Sequence, residues 1–205
     1  MERSKGYKYL IYQVNATGRE KADGYYPKIM EEIYEWERDE VEDIIWNQFE
    51  NRGDTGVAMF LPKLKKYDGM VALKKFLLTC SMPSDNSLNV AEVLLKQTGD
   101  KKYLKIFEEN LKTNDKTHRL VTTATLIYCI PSPEIYSLLK KIYIFDKDDT
   151  VQSTAATGLL HYNGYITDPL SKKEFMETLE LSRKFMLDNE EDRKQIVEKL
   201  EKGEL

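Results

Sequence analysis

The chain is poor in the residues from which catalytic and metal sites are most often built. Of its 205 residues only two are cysteine, Cys80 and Cys129, and two are histidine, His118 and His161. Each cysteine lies in its own apolar helical segment, which reads as a buried free thiol and not as half of a disulfide. The histidines have no metal-ligating neighbour three or four positions away, and neither a HExxH nor a CxxC pattern occurs, so no metal and no cofactor are expected. His118 reads as a polar first-turn residue, and His161 as a helix-end residue near the carbonyl end of its helix. A glycine-rich phosphate loop and a Gly-x-Ser-x-Gly elbow are also missing. Carboxylates are plentiful, at 35, but nothing in their spacing singles out a catalytic pair. The sequence therefore names no catalytic residue and favours a role other than catalysis.

Excess positive charge is missing as well. The formal net charge is −4 and the pI about 5.4, which gives nucleic acid no global electrostatic attraction. No apolar run approaches the ~20 residues of a membrane span. The opening MERSKGYKYLIYQV lacks the apolar core and small-residue cleavage site of a secretion signal, so a cytoplasmic protein is expected. In that setting Asn15-Ala16-Thr17 is a chance glycosylation sequon. Arg52-Gly53-Asp54, the integrin tripeptide, reads as a basic last turn, a helix-ending glycine and the next helix's cap.

What the chain does have is 41% hydrophobic residues, enough for a core, and 32% charged residues of mixed sign. Residues 1–22 are tyrosine-rich and stand outside the pattern that follows. There YKYLIYQV is apolar on both faces, and periodicity alone does not separate strand from buried helix. From Asp23 onward a ladder appears. Asp23, Asp54, Asp85, Asp115 and Asp148 stand 31, 31, 30 and 33 residues apart, each before a segment with apolar residues at helical spacing. A second ladder, Asp39, Asp68, Asp100, Ser132 and Ser171, interleaves with the first. All ten are residue types whose side-chain oxygen accepts hydrogen bonds from the free N–H groups of a helix's first turn. Gly53, Gly69 and Gly99 fall near junctions, where left-handed backbone is cheap for glycine. Pro62 falls where a helix should be in mid-course, so that helix is kinked or starts late. The segment His161–Ser171 lengthens one linker and breaks the period. Asn189 followed by Asp192 resembles a capping box for a final helix over about 190–202.

Two helices about every 31 residues, five times over, are the mark of an α-solenoid in which stacked pairs bury a shared core. The cleanest unit is Asp148–Tyr162, DDTVQSTAATGLLHY, where Asp148, Val151, Gln152, Ala155, Ala156 and Leu159 resemble a HEAT-like repeat; Asp115, Arg119 and Thr123 form a looser copy. The period is close to the short bacterial variety. The resemblance spans residues 23–187 and is specific over 85–162. It implies an all-α, right-handed superhelix of about five helix pairs over 23–187; residues 1–22 are read as an irregular tyrosine-rich N-terminal segment and 188–205 as a polar capping helix. It further implies a concave face formed by segments 26–37, 56–66, 87–98, 117–130 and 149–162, and a scaffold that binds macromolecules.

Helix phase selects Glu31, Glu35, Trp46, Asn89, Glu92, Lys96, Arg119, Gln152 and His161 as partner-binding residues. The strongest charge feature is Lys28–Asp43, with eight acids against Lys28 and Arg38. It suggests docking of another protein with a basic surface, as when an immunity protein occludes a basic toxin. An opposite cluster, Lys63, Lys65, Lys66, Lys74 and Lys75, suggests the other end of one groove. The alternatives are a regulatory adaptor subunit and a HEAT-like DNA glycosylase. The latter needs a basic concave strip around an aromatic–carboxylate pocket, and the acids around Trp36 and Trp46 oppose it.

Overall fold

The computed structural model describes residues 1–22, 24–168 and 171–205; the side chains of Ala22 and Phe175 fall outside that description. All regular structure among the described residues is helical, with no strand, as the spacing predicts. No helix among them is long and apolar enough to cross a membrane. The chain divides into two compact units, Met1–Thr98 and Gly99–Leu205.

In the first unit, α1 (Lys5–Asn15) is capped by Ser4, whose hydroxyl accepts from the Tyr7 N–H. YKYLIYQV is thus helical. The short α2 (Gly18–Ala22) follows. Segment 26–37 departs from expectation: only two single turns of 3-10 helix form there, Ile29–Glu31 and Glu35–Glu37. Then come α3 (Arg38–Glu50), a nine-residue 3-10 helix at Thr55–Lys63, α4 (Gly69–Thr79) and α5 (Asp85–Thr98). Pro62 does not delay its segment, which starts at Thr55. The helix is wound tighter instead and ends one residue later. That 3-10 helix is the hub of the unit, packing against α3, α4 and α5. Its Val57, Phe60 and Leu61 are fully buried with Ile45, Leu73, Leu88 and Leu94. Gly69 does not take left-handed backbone, whereas Gly53 and Gly99 do, at φ +65°. It is needed for closeness: a Cβ there would stand 2.1 Å from the Leu61 carbonyl oxygen.

The second unit holds a single 3-10 turn at Lys101–Tyr103, then α6 (Leu104–Leu111), α7 (Lys116–Ile127), α8 (Pro133–Phe145) and α9 (Asp149–Tyr162). After them come α10 (Lys172–Glu177), α11 (Leu179–Arg183) and α12 (Glu190–Lys202). α9 packs against both α7 and α8. Its small residues make that possible: a Cβ on Gly158 would meet Ile127 and Leu139 side-chain atoms at 2.9 Å, and Ala155 and Ala156 are buried. α12 packs on α8, burying Val197 and Leu200. Its Arg193 donates to the carbonyls of Ile144 (3.0 Å) and Leu187 (2.9 Å).

The ladders are largely caps. Asp115 and Asp148 accept first-turn N–H bonds at the starts of α7 and α9. Asp54, Asp68, Asp100, Ser132 and Ser171 do the same for their helices. Asn189 accepts from the Asp192 N–H at 2.8 Å. Two rungs are displaced. Asp39 and Asp85 lie inside the first turns of α3 and α5, where a carboxylate still suits the helix dipole, and the Ser84 hydroxyl accepts from the Ser87 N–H. Asp23 lies outside the described residues. Cys80 and Cys129 are not joined in a disulfide; Cys129 is buried and Cys80 half-buried.

Candidate functional site

The first unit carries a groove of about 960 Å³ between α5, the start of the 3-10 helix at Thr55 and the segment around Lys21–Pro27. α5 forms one wall with Asn86, Asn89, Glu92, Val93, Lys96 and Gln97, residues at steps of three and four that share one helix face.

At one end Asp54 works with both carboxylate oxygens. Oδ1 accepts the Gly56 N–H (3.0 Å) and so starts the 3-10 helix. Oδ2 accepts from the Tyr25 hydroxyl (2.6 Å) and from the Lys21 ammonium (2.7 Å). Lys21 also donates to the Tyr25 oxygen (2.7 Å) and to the Gln13 carbonyl (3.2 Å), which pins α2 to α1. Burial alone would raise the Asp54 carboxyl; the hydrogen bonds from Lys21 and Tyr25 outweigh it and hold the group below its ordinary value of 3.8. Burial, and then the Asp54 carboxylate, push the Tyr25 phenol up. This triad keeps Tyr25 a neutral donor and is a structural brace. It also occupies the Asp54 side chain of the RGD tripeptide, which is 17% exposed, in keeping with its reading as a cap.

Where the 3-10 helix meets the first turns of α5 sits Thr55, only 3% exposed. Its hydroxyl donates to Asn86 Oδ1 (2.8 Å) and accepts from Asn89 Nδ2 (3.1 Å). Farther along, Glu92 and Lys96 form an ion pair one turn apart. Both lysines of the lining are thus paired with a carboxylate, and the groove is close to neutral.

The groove gathers three of the residues selected by helix phase: Asn89, Glu92 and Lys96. The others lie elsewhere. Arg119 grips Asp146 and donates to the Thr113 carbonyl at 3.1 Å. Gln152 is buried and donates to the Asp146 carbonyl. His161 Nδ1 lies 2.8 Å from the Ile166 carbonyl, which holds the turn after α9. These three are tied into the second unit's own structure. Trp46 stacks on Tyr67 with centroids 4.4 Å apart and planes 6° from parallel. Lys21, Tyr25, Thr55 and Asn86 were not among the selected residues. The one signal for two of them is that Thr55 and Asn86 each follow a rung of the ladder by one position.

Most acids of the acidic stretch face basic groups of the same unit. Glu31 pairs with Lys63 (3.2 Å), Glu32 with Lys5 (3.4 Å), Glu35 with Lys65 (3.7 Å) and Glu40 with Arg3 (2.8 Å). Asp43 pairs with Lys66. Glu42, 1% exposed, pairs with Arg38 and accepts the N–H groups of Lys65 (2.9 Å) and Lys66 (2.8 Å). Glu37 is fully buried and accepts from the Ser4 and Tyr34 N–H groups. Lys63, Lys65 and Lys66 are therefore the counterions of the acids, not the far end of a groove. No cluster of three or more metal-ligating side chains is found among the described residues.

No protein-family model matches the chain, and no curated protein or solved structure matches it significantly.

Proposed function

We propose that the protein is a binding scaffold, and that the α5 groove of its N-terminal unit is where another protein docks. The observation that carries this reading is the groove itself. It is a concave surface of about 960 Å³ in which one helix face supplies amide, charged and apolar side chains together. We further propose that the recurring capped helices are HEAT-like pairs of a right-handed solenoid. The caps at Asp54, Asp115 and Asp148 and the packing of α9 on both α7 and α8 support that reading. Segments 26–37 and 55–63 are then degenerate copies. An immunity protein that occludes a toxin is one form of such a scaffold. The acids of Glu31–Asp43 give it little support, since most face lysines and arginines of the same unit, and the near-neutral groove does not call for a basic partner.

The test is affinity capture from the source cells with three forms of the full chain: wild type, Asn89→Arg in the groove, and Lys74→Glu on the exposed face of α4. The expected result is one partner protein retained by wild type and by Lys74→Glu and lost from Asn89→Arg. Equal retention by all three contradicts the groove as the docking site.

A further inference from the structure

The Thr55 hydroxyl fixes more than the two side chains it touches. A hydroxyl has one hydrogen to give, so it donates to one carboxamide and accepts from the other. Thr55 donates to Asn86 Oδ1 and accepts from Asn89 Nδ2. Asn86 is left with its NH₂ group, and Asn89 with its carbonyl oxygen. Neither makes a further hydrogen bond among the described residues. If both amides were turned over, Asn89 would present the donor and Asn86 the acceptor, so the pair always offers one of each. The two side chains lie three positions apart on α5, where Cβ atoms are about 5–6 Å apart. In an extended chain a residue's own N–H and C=O point to the same side, and a strand partner meets them with one acceptor and one donor.

We propose that the Asn86–Thr55–Asn89 unit is a main-chain clamp, and that the groove's occupant is an extended segment of the partner protein held through the N–H and C=O of one residue. This rests on the groove being the docking site. The α5 wall from Asp85 to Gln97 is about 18 Å long, room for about five extended residues. Two paired lysines against Asp54, Asp85 and Glu92 leave little net charge in the lining. An uncharged polar segment therefore fits better than a basic one. Beyond the clamp the lining includes Val93 and Met59, which offer apolar contacts, and the Glu92–Lys96 pair, which offers a polar one. The clamp supplies affinity without reading sequence, and these flanking side chains supply what selectivity there is.

The experiment uses the full chain and a phage-displayed library of random dodecapeptides. Peptides enriched on wild type are synthesised with N-methyl groups placed one at a time along the backbone. The clamp predicts that one N-methyl position costs at least about tenfold in affinity, the weight of a lost hydrogen bond. Thr55→Val, which keeps the shape and removes the hydroxyl, loses about as much, and Thr55→Ser recovers it. The melting temperature of each variant shows that the fold is intact. Three outcomes overturn the clamp: no peptide is enriched, every N-methyl position is tolerated, or Thr55→Val and Thr55→Ser bind alike. If Asn89→Arg still abolishes partner capture in any of these cases, the groove stands as a docking site and only its main-chain chemistry is wrong. If Asn89→Arg leaves capture unchanged, the docking site itself is wrong.

Discussion

Arg119 on α7 holds Asp146, at the end of α8, through two parallel hydrogen bonds, Nε to Oδ2 at 2.8 Å and Nη2 to Oδ1 at 3.0 Å. Both side chains are nearly buried, at 12% and 10% exposed. The pair orders the turn from which α9 begins, since Asp146 Oδ1 also accepts the Asp148 N–H and its carbonyl accepts from Gln152. Removing one partner leaves a poorly solvated charge behind, so Arg119→Ala should destabilise by about 3 kcal/mol. Arg119→Lys, which cannot make the two-pronged contact, should fall between it and wild type. Urea denaturation measures both. A loss below about 1 kcal/mol for Arg119→Ala would mean the pair is a surface contact.

Glu42 plays the corresponding part in the first unit. Glu42→Leu strands the N–H groups of Lys65 and Lys66 as well as Arg38. A cost of about 3 kcal/mol follows, with Glu42→Gln milder because its carbonyl oxygen still accepts. The double charge reversal Glu31→Lys with Glu35→Lys disturbs pairs with Lys63, Lys65 and Arg38 in which both glutamates are exposed. It should shift the melting temperature by no more than about 2 °C. Partner capture should survive it; loss of capture at an unchanged melting temperature would return the docking site to the acidic stretch.

Asp54 gives the first unit an acid-sensitive contribution. Its carboxyl is held below 3.8, so the unfolded chain takes up the proton first as pH falls. The stability it contributes is complete above about pH 5 and is lost as pH drops through 3.8 and on through the lower folded value. Comparing wild type with Asp54→Asn by urea denaturation between pH 3 and pH 7 isolates this group from the other acids. The difference should be constant at the neutral end and shrink below about pH 4. A difference that grows with acid would contradict the pairing with Lys21 and Tyr25.

Gly69 opens α4, where alanine would normally be tolerated. Here its Cβ would overlap the Leu61 carbonyl, so Gly69→Ala should cost more than about 2 kcal/mol by forcing α4 off the 3-10 helix. A stabilising effect, the usual result of glycine to alanine at a helical position, would mean that α4 does not lie so close.

These contrasts mark what local pattern carries. The helices from Asp85 to Tyr162 are legible because Asp115, Ser132 and Asp148 sit one residue before the helices whose apolar stripe follows, and cap and stripe are both local signals. Asp39 and Asp85 show the limit of that signal, since a carboxylate is equally at home one residue inside the first turn. In the N-terminal half, what decides the structure is tertiary. The 3-10 helix Thr55–Lys63 packs among three helices that the local spacing does not bring together. The acids of Glu31–Asp43 read as a free charged face because their counterions Arg3, Lys5, Lys63, Lys65 and Lys66 come from elsewhere in the chain. Helix phase found Asn89, Glu92 and Lys96 on one face of α5 but held no information that Thr55 would orient Asn89, or that Asp146 would occupy Arg119.

The groove is tested most directly by placing a photo-reactive phenylalanine analogue at position 89, and separately at position 74 on the exposed face of α4, in the full chain within its own cells. Irradiation should yield one covalent protein adduct from position 89 and none from position 74. Adducts from position 74 alone, or from neither, would contradict the groove as the surface through which this protein acts.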